Sequence, residues 1–245
     1  MGNLDGKVAV VTGGGTGIGK AIVLELAARG AEVVAIGRRK EPLGELERAG
    51  NGRVAAFAAD ITRAGDAKRA IEFAVTRLSR LDILVNNAGS FLKKAFAETT
   101  DEQITQMLDV NVRGLLACCR ESIPHLKDTK GAIVNISSAS GIYARPNIVA
   151  YGASKAAVHQ ATRLMAVELG PDGIRVNAVA PGFTRTEMTD YLTSNEASTD
   201  ALVKLTALGR VGEPEDVARV VAFLAGADAR WVTGQIISAS GGLLL

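Results

Sequence analysis

Lys7-Val8-Ala9-Val10-Val11 runs directly into Thr12-Gly13-Gly14-Gly15-Thr16-Gly17-Ile18-Gly19, and Lys20 to Arg29 follows with Ala, Leu and Ile at helical spacing. A short β-branched run, clustered glycines and a helix-period repeat read as strand, turn and helix. At such a turn backbone N–H groups and the helix dipole point at one spot, and glycine lets a pyrophosphate approach where a Cβ would block it. The spacing is G-x-x-x-G-x-G through Gly13, Gly17 and Gly19, not the commoner G-x-G-x-x-G. Two other readings stand beside dinucleotide binding. A tight glycine turn can merely pack helix on strand, and Gly14, Gly19 and Lys20 fit the G-x-x-x-x-G-K of a nucleoside-triphosphate loop. That loop would lack its metal ligand, because Ala21 stands where a Ser or Thr hydroxyl is needed for magnesium.

The same alternation continues outward from this turn. Strand patterns at Glu32 to Ile36, Arg53 to Ala59 and Leu81 to Asn86 alternate with helical ones at Glu41 to Ala49 and Ala64 to Leu78. The second half adds a long helix from Asp101 to Leu126, a strand Ala132 to Ile136, a helix from about Ala150 to Leu169 and a strand Arg175 to Ala180. A polar helical insert spans Glu187 to Leu208, then a helix opens on Pro214 and runs to Leu224, and Gly234 to Ser238 closes as a strand. Continuously apolar strands alternating with helices imply an α/β fold: a Rossmann-type, doubly wound parallel sheet of about seven strands, covered on both faces. No composition shift or repeat marks a boundary, so residues 1–245 read as one domain.

Composition narrows the function. The chain has 245 residues, 47% hydrophobic, with 28 Lys plus Arg against 26 Asp plus Glu for a net charge of +2. That is enough apolar surface for a full core and too little charge to favour nucleic acid or an anionic membrane. The cysteines, Cys118 and Cys119, are adjacent and the only histidines are His125 and His159, a set that builds neither a disulfide framework nor a zinc cage, so no metal is expected. No basic segment precedes an apolar stretch at the start, no apolar run reaches the roughly 18 residues of a membrane span, and Gly6 replaces the Ser or Thr of a myristoylation signal. The expectation is a cytoplasmic, unprocessed protein with no membrane partner.

The residues that would carry chemistry lie farther along. About 20 residues after the glycine turn, an NAD-preferring fold places an acid against the ribose 2′-hydroxyl; here Gly37 is followed by Arg38 and Arg39. A guanidinium suits a 2′-phosphate instead, which favours NADP(H), with NAD(H) as the alternative and solvated turn charges as the bland reading. Tyr151 and Lys155, at i and i+4 on one helix, project from one face. A phenol ordinarily titrates near ~10, and a neighbouring ammonium favours its ionised form, bringing it toward acid/base work. Ser138 follows the strand Ala132 to Ile136 at its carboxyl side, the edge where open parallel sheets bind ligands. Each residue alone is unremarkable; their convergence on one crevice is what points to catalysis.

With these motifs the chain resembles the short-chain dehydrogenase/reductase family over essentially its whole length. Thr12 to Gly19 is similar to the family's TGxxxGIG, Asp60 and Ile61 follow the third strand where the family meets adenine, and Asn86-Asn87-Ala88-Gly89 is its NNAG. Asn111 lies in Val-Asn-Val, Ser138 in Ile-Ser-Ser, Tyr151 and Lys155 in YxxxK, and Pro181-Gly182 in PG after the sixth strand. The resemblance implies an NAD(P)-dependent oxidoreductase, an enzyme passing hydride between nicotinamide and a carbonyl or alcohol carbon. Tyr151 would move the proton, Ser138 polarise the substrate oxygen, Lys155 tune Tyr151 and hold the nicotinamide ribose, and Asn111 anchor a water leading to Lys155. Gly13, Gly15, Thr16, Gly17, Ile18 and Gly19 would hold the pyrophosphate. Asn87, Ala88 and Gly89 would line the adenosine side, and Pro181, Gly182, Thr184 and Thr186 the other half of the cofactor. Ser240-Gly241-Gly242 departs from the family's Asp-Gly-Gly, far from the chemistry.

The substrate pocket is expected between Ser90 and Phe91, Ile142 and Tyr143, Phe183, Met188 and Tyr191, and the insert 187–208, which reads equally as a lid or as a surface helical pair. No charged residue is clearly placed to hold a carboxylate or phosphate, since Arg145 and Arg185 can equally face solvent, so a neutral ketone, aldehyde or secondary alcohol is the default. The alternative is a 3-oxoacyl-acyl-carrier-protein ketoreductase, although Thr129 and Asp172 stand where arginines would meet an acidic carrier and only Lys127 and Lys130 could compensate. A non-catalytic dinucleotide-binding regulator is a third reading, disfavoured by the catalytic group. Family resemblance also implies a homotetramer built on the helices from Asp101 and Ala150, and the Leu243-Leu244-Leu245 tail is expected at a subunit contact.

Overall fold

The structure, a computed structural model, describes residues 4–190 and 196–244. Its strands are β1 (Val8–Thr12), β2 (Glu32–Gly37), β3 (Val54–Ala58), β4 (Ile83–Asn86), β5 (Ala132–Ile136), β6 (Arg175–Pro181) and β7 (Ile236–Ala239). They form one parallel sheet in the order β3-β2-β1-β4-β5-β6-β7. The order reverses between β1 and β4, so the crevice at their carboxyl ends is where a ligand is expected to bind. Register carries Thr12 beside both Ile36 and Asn86, and Asn86 beside Asn135, which brings the glycine turn, the Asn-Asn segment and the Ser138 loop to one edge.

Successive residues of each strand feed opposite cores, which is why the strands read as unbroken apolar runs. Ala9 and Val11 face α1 (Gly17–Ala28), α2 (Lys40–Ala49) and α8 (Pro214–Ala225) through Ile22, Leu26, Leu43, Val217 and Val221. Val10 faces α3 (Asp66–Leu78), α5 (Leu115–Thr129) and α6 (Val149–Leu169), through Ile71, Leu115, Cys118 and Val158.

The expected helix from Asp101 to Leu126 is in fact broken. α4 (Asp101–Leu108) gives way to a π-helical turn, Asp109–Gly114, before α5 begins. The wider turn brings Gly114 so close to β3's continuation that a Cβ there would lie 2.8 Å from Ile61 Cδ1. Asn111, 1% exposed, sits inside this turn. Inserted residues of this kind gather at functional sites.

The tail also differs from expectation. Leu243 is 4% exposed and bridges Thr206 within the chain, while Leu244 N–H donates to Leu205 O at 3.1 Å. Leu243 is buried by the chain's own insert without a subunit contact, whereas Leu244 remains 39% exposed. The insert itself contains α7 (Glu196–Lys204), and Tyr191 lies outside the described residues.

Candidate active site

At the glycine turn, two of the glycines adopt left-handed backbone, Gly13 at φ 63° and Gly17 at φ 51°. A Cβ on Gly19 would fall 2.0 Å from Gly13 O, so packing alone demands that glycine. Gly15 is different: a Cβ there would meet Pro42 at 3.5 Å and Leu43 at 3.7 Å, ordinary contacts, so packing alone does not demand glycine. Thr16 starts α1 without a side-chain cap, and the first turn of α1 carries no acid. An uncapped, acid-free helix start facing a glycine-lined hollow fits a pyrophosphate. Across the hollow, the Thr186 methyl lies within 3.2 Å of where a Gly17 Cβ would be.

The Asn-Asn segment is largely spent on architecture. Thr12 Oγ1 accepts from the N–H of both Asn87 and Ala88 at 3.1 Å, and Asn87 Nδ2 donates to the carbonyls of Thr12 and Gly13. Asn86 Nδ2 donates to Asn135 Oδ1 at 2.9 Å, and Asn135 Nδ2 passes the chain to Thr162 Oγ1 on α6. Asp60 accepts from Thr62 N–H and Oγ1; burial raises its pKa, but these bonds with the Arg38 and Arg63 charges outweigh it and the net shift is downward. Ile61 is 8% exposed and packs into the core. Arg38 is exposed at the end of β2, while Arg39 donates to Thr16 Oγ1 and pairs with Glu187 at 3.1 Å.

Ser138, Tyr151, Phe91, Tyr143, Phe183, Pro181, Gly182 and Met188 line a single crevice, whereas Ser90 and Ile142 are absent from its wall. Ser138 Oγ accepts from Ser140 N–H at 3.1 Å, so its own O–H can be given to a ligand. Phe91 packs edge-on to Tyr151 with ring centroids 4.8 Å apart, fixing the phenol from one side. From behind, Lys155 Nζ lies 5.9 Å from the Tyr151 ring centroid and donates to Ile136 O at 3.0 Å. Burial pushes the Lys155 ammonium down to about 8.

Asn111 is bonded to the elements on both sides of it. Its Oδ1 accepts from Ser90 N–H at 2.8 Å, and its Nδ2 donates to Ser90 O and to Ser154 Oγ; Ser154 in turn donates to the Tyr151 carbonyl at 2.7 Å. The side chain is therefore a clamp between the loop after β4 and the first turn of α6. Thr184 is buried, and its carbonyl and those around it are gathered by Thr189, whose Oγ1 donates to Thr184 O at 2.5 Å.

Sequence reading missed Ser137 and His159. Ser137 Oγ sits 2.5 Å from His159 Nε2 and 3.2 Å from Lys155 O, tying β5 to α6 beside the lysine. Burial, then the charges of Arg163 and Lys155, hold His159 below its usual range. The signal was present: Tyr151, Lys155 and His159 stand at i, i+4 and i+8 on one helical stripe.

Comparison with known proteins agrees with this geometry. The family model described as enoyl-(acyl carrier protein) reductase matches residues 13–244. The chain is a short-chain dehydrogenase/reductase. Among relatives of this dehydrogenase/reductase, an uncharacterized oxidoreductase from Methylorubrum extorquens is 43% identical over 249 residues, covering 99% of this chain and 100% of the relative. A 3-oxoacyl-[acyl-carrier-protein] reductase, FabG, from Thermotoga maritima is 40% identical over 246 residues, covering 99% of each. A mutant short-chain dehydrogenase/reductase from Serratia marcescens superposes with a TM-score of 0.93 at 38% identity, covering 99% of each chain. The protein is thus an oxidoreductase of a family that uses a nicotinamide dinucleotide and small-molecule substrates, and among the described residues no helix is long and apolar enough to cross a membrane.

Proposed function

We propose that the protein is an NADPH-dependent carbonyl reductase, interconverting a ketone or aldehyde with its alcohol, and that Tyr151 is its proton donor. The observation that carries this reading is the convergence of Ser138 and Tyr151 on one apolar crevice with the buried Lys155 ammonium behind the phenol ring. When bound, the dinucleotide supplies the hydride that goes to the carbonyl carbon. Tyr151 gives its proton to the substrate oxygen, and the Ser138 O–H donates to the same oxygen, so charge developing there meets two donors already in place. Lys155 stabilises negative charge left on Tyr151. Asn111 holds the loop and helix that carry the site, acting through Ser90 and Ser154 as a positioning residue.

Gly13, Gly15, Thr16, Gly17, Ile18 and Gly19 would cradle the pyrophosphate with Thr186 opposite, and Arg38 would meet the 2′-phosphate of NADPH. Met188 and Thr189 lie in the crevice wall and Glu187 is held by Arg39, which supports 187–208 as a lid on a single catalytic domain. Leu108 and Leu116 flank the π-helical turn, and Val149, Leu164 and Val167 lie on α6; all are between 41% and 80% exposed, an apolar face suited to a homotetramer. We place the enzyme in the cytoplasm, where the buried thiols of Cys118 and Cys119 stay reduced.

A second reading, reduction of a carrier-bound 3-oxoacyl thioester, is favoured by the 40% identity to the Thermotoga reductase. Against it, Lys127 is paired with Asp172 at 2.9 Å, which removes one of the cations that an acidic carrier would need. The test is titration with NADPH and NADH followed by a turnover screen of free carbonyls and acyl thioesters. Tight NADPH binding with turnover of free carbonyls is expected. Turnover of carrier-bound substrates alone would transfer the case to the second reading.

A further inference from the structure

The crevice contains two cations for which the proposed chemistry has no use. Lys93, on the loop after β4, and Arg145, on the loop before α6, both line it with Ser138 and Tyr151, and no Asp or Glu does so among the described residues. The two loops are joined by Lys94 N–H donating to Asn147 O at 2.7 Å, so the cations ride on one brace. The Arg145 guanidinium carbon lies 4.6 Å from the centroid of the Phe183 ring, which also lines the crevice. That stacking orients the guanidinium and leaves its N–H edge for a ligand. Nearby arginines are matched by carboxylates, Arg39 by Glu187 and Arg185 by Glu213, while Arg145 enters no salt bridge among the described residues.

We propose that Arg145 is the subsite for an anionic group on the substrate, so that the substrate class is an oxo acid: a carbonyl compound with an apolar body and a carboxylate. The carbonyl meets Ser138 and Tyr151, the body lies against Phe91, Tyr143 and Met188, and the carboxylate takes parallel N–H bonds from the Arg145 fork. Arg145 is exposed at the mouth of the crevice, so the pair is open to screening by salt. This rests on the carbonyl-reductase reading and sharpens it. It replaces the expectation of a neutral substrate, which left open whether Arg145 faces the site or solvent.

The test compares an oxo acid, its methyl ester and a pantetheine-phosphate thioester of the same acyl chain as substrates with saturating NADPH, for the wild type, Arg145→Met and Arg145→Lys. The acid is expected to exceed the ester in kcat/KM by about tenfold at low salt, the usual scale of a charge-assisted hydrogen bond at a partly exposed site. The preference should shrink with added salt, vanish in Arg145→Met and return in part in Arg145→Lys. Equal use of acid and ester by the wild type, or an acid preference that survives in Arg145→Met, would overturn the proposal. So would a preference for the phosphate-bearing thioester over the acid. If NADPH binds and nothing is reduced, the reductase reading fails on its own. Calorimetry of a medium-chain carboxylate on the NADPH complex then decides the subsite: binding lost in Arg145→Met supports it, and binding that is absent or unaffected overturns it.

Discussion

Replacing Lys155 with methionine should stabilise the protein while destroying its activity. Lys155 is 5% exposed and its ammonium falls from 10.5 to about 8 because burial disfavours charge. At pH 7 that depression means the folded state holds the ammonium at a cost of about 3 kcal/mol. Methionine fills nearly the same volume without charge, and it forfeits the hydrogen bond to Ile136 O, which contributes about 1 kcal/mol. The expected net gain at pH 7 is about 2 kcal/mol, or roughly 4–8 °C in Tm for a chain of this size. Because the folded-state pKa lies below the unfolded one, the unfolded chain binds more protons between pH 8 and 10.5, and wild-type stability rises with pH across that window. By pH 10 the burden on the wild type has fallen to about 1 kcal/mol and the advantage of the variant should be nearly gone. Thermal and urea unfolding of the cofactor-free proteins at both pH values measures this, with turnover assayed in parallel. A variant less stable than wild type at pH 7, or one whose advantage is the same at pH 10, would refute the claim that a buried ammonium is kept for function at the expense of stability.

Arg38→Asp should reverse the preference between NADPH and NADH, lowering the NADPH/NADH ratio of affinities by tenfold or more, since a carboxylate repels the 2′-phosphate and accepts from a free hydroxyl; an unchanged ratio in fluorescence titrations would remove Arg38 from the cofactor site. Cys118 and Cys119 are 0% and 2% exposed, and burial, with Glu121 beside Cys118 and Cys118 beside Cys119, pushes both thiols up to about 12. Neither should react with a thiol reagent in the native protein up to pH 9, and both should react after denaturation; rapid native labelling counted by mass spectrometry would contradict their burial.

The parts legible in the sequence were those where one residue type has one physical job. The β-branched runs ending at Thr12, Asn86 and Ile136 could only be buried parallel strands, and their carboxyl ends do share one edge. Gly19 was legible because no other residue fits against Gly13 O. Tyr151 and Lys155 were legible through their four-residue spacing. What escaped depends on turns that periodicity does not resolve. A helical pattern looks the same whether a turn closes at four residues or five, so the π-helical turn around Asn111 was invisible, and with it the clamp to Ser90 and Ser154. The buried run Asn86, Asn135 and Thr162 joins residues far apart in sequence, and nothing local marks Asn135 or Thr162 as partners. Arg145 was ambiguous for the same reason, because only the folded loop shows that it stacks on Phe183 at the crevice.

The central claim is that Tyr151 delivers the proton. It is tested most directly by Tyr151→Phe, with NADPH affinity and carbonyl reduction measured on the same preparation. The phenol ring packs on Phe91, so the variant keeps that contact and should bind NADPH within about twofold of wild type. Its kcat should fall by about a hundredfold or more, the scale of losing a general acid. Turnover at the wild-type rate with intact NADPH binding would contradict the mechanism.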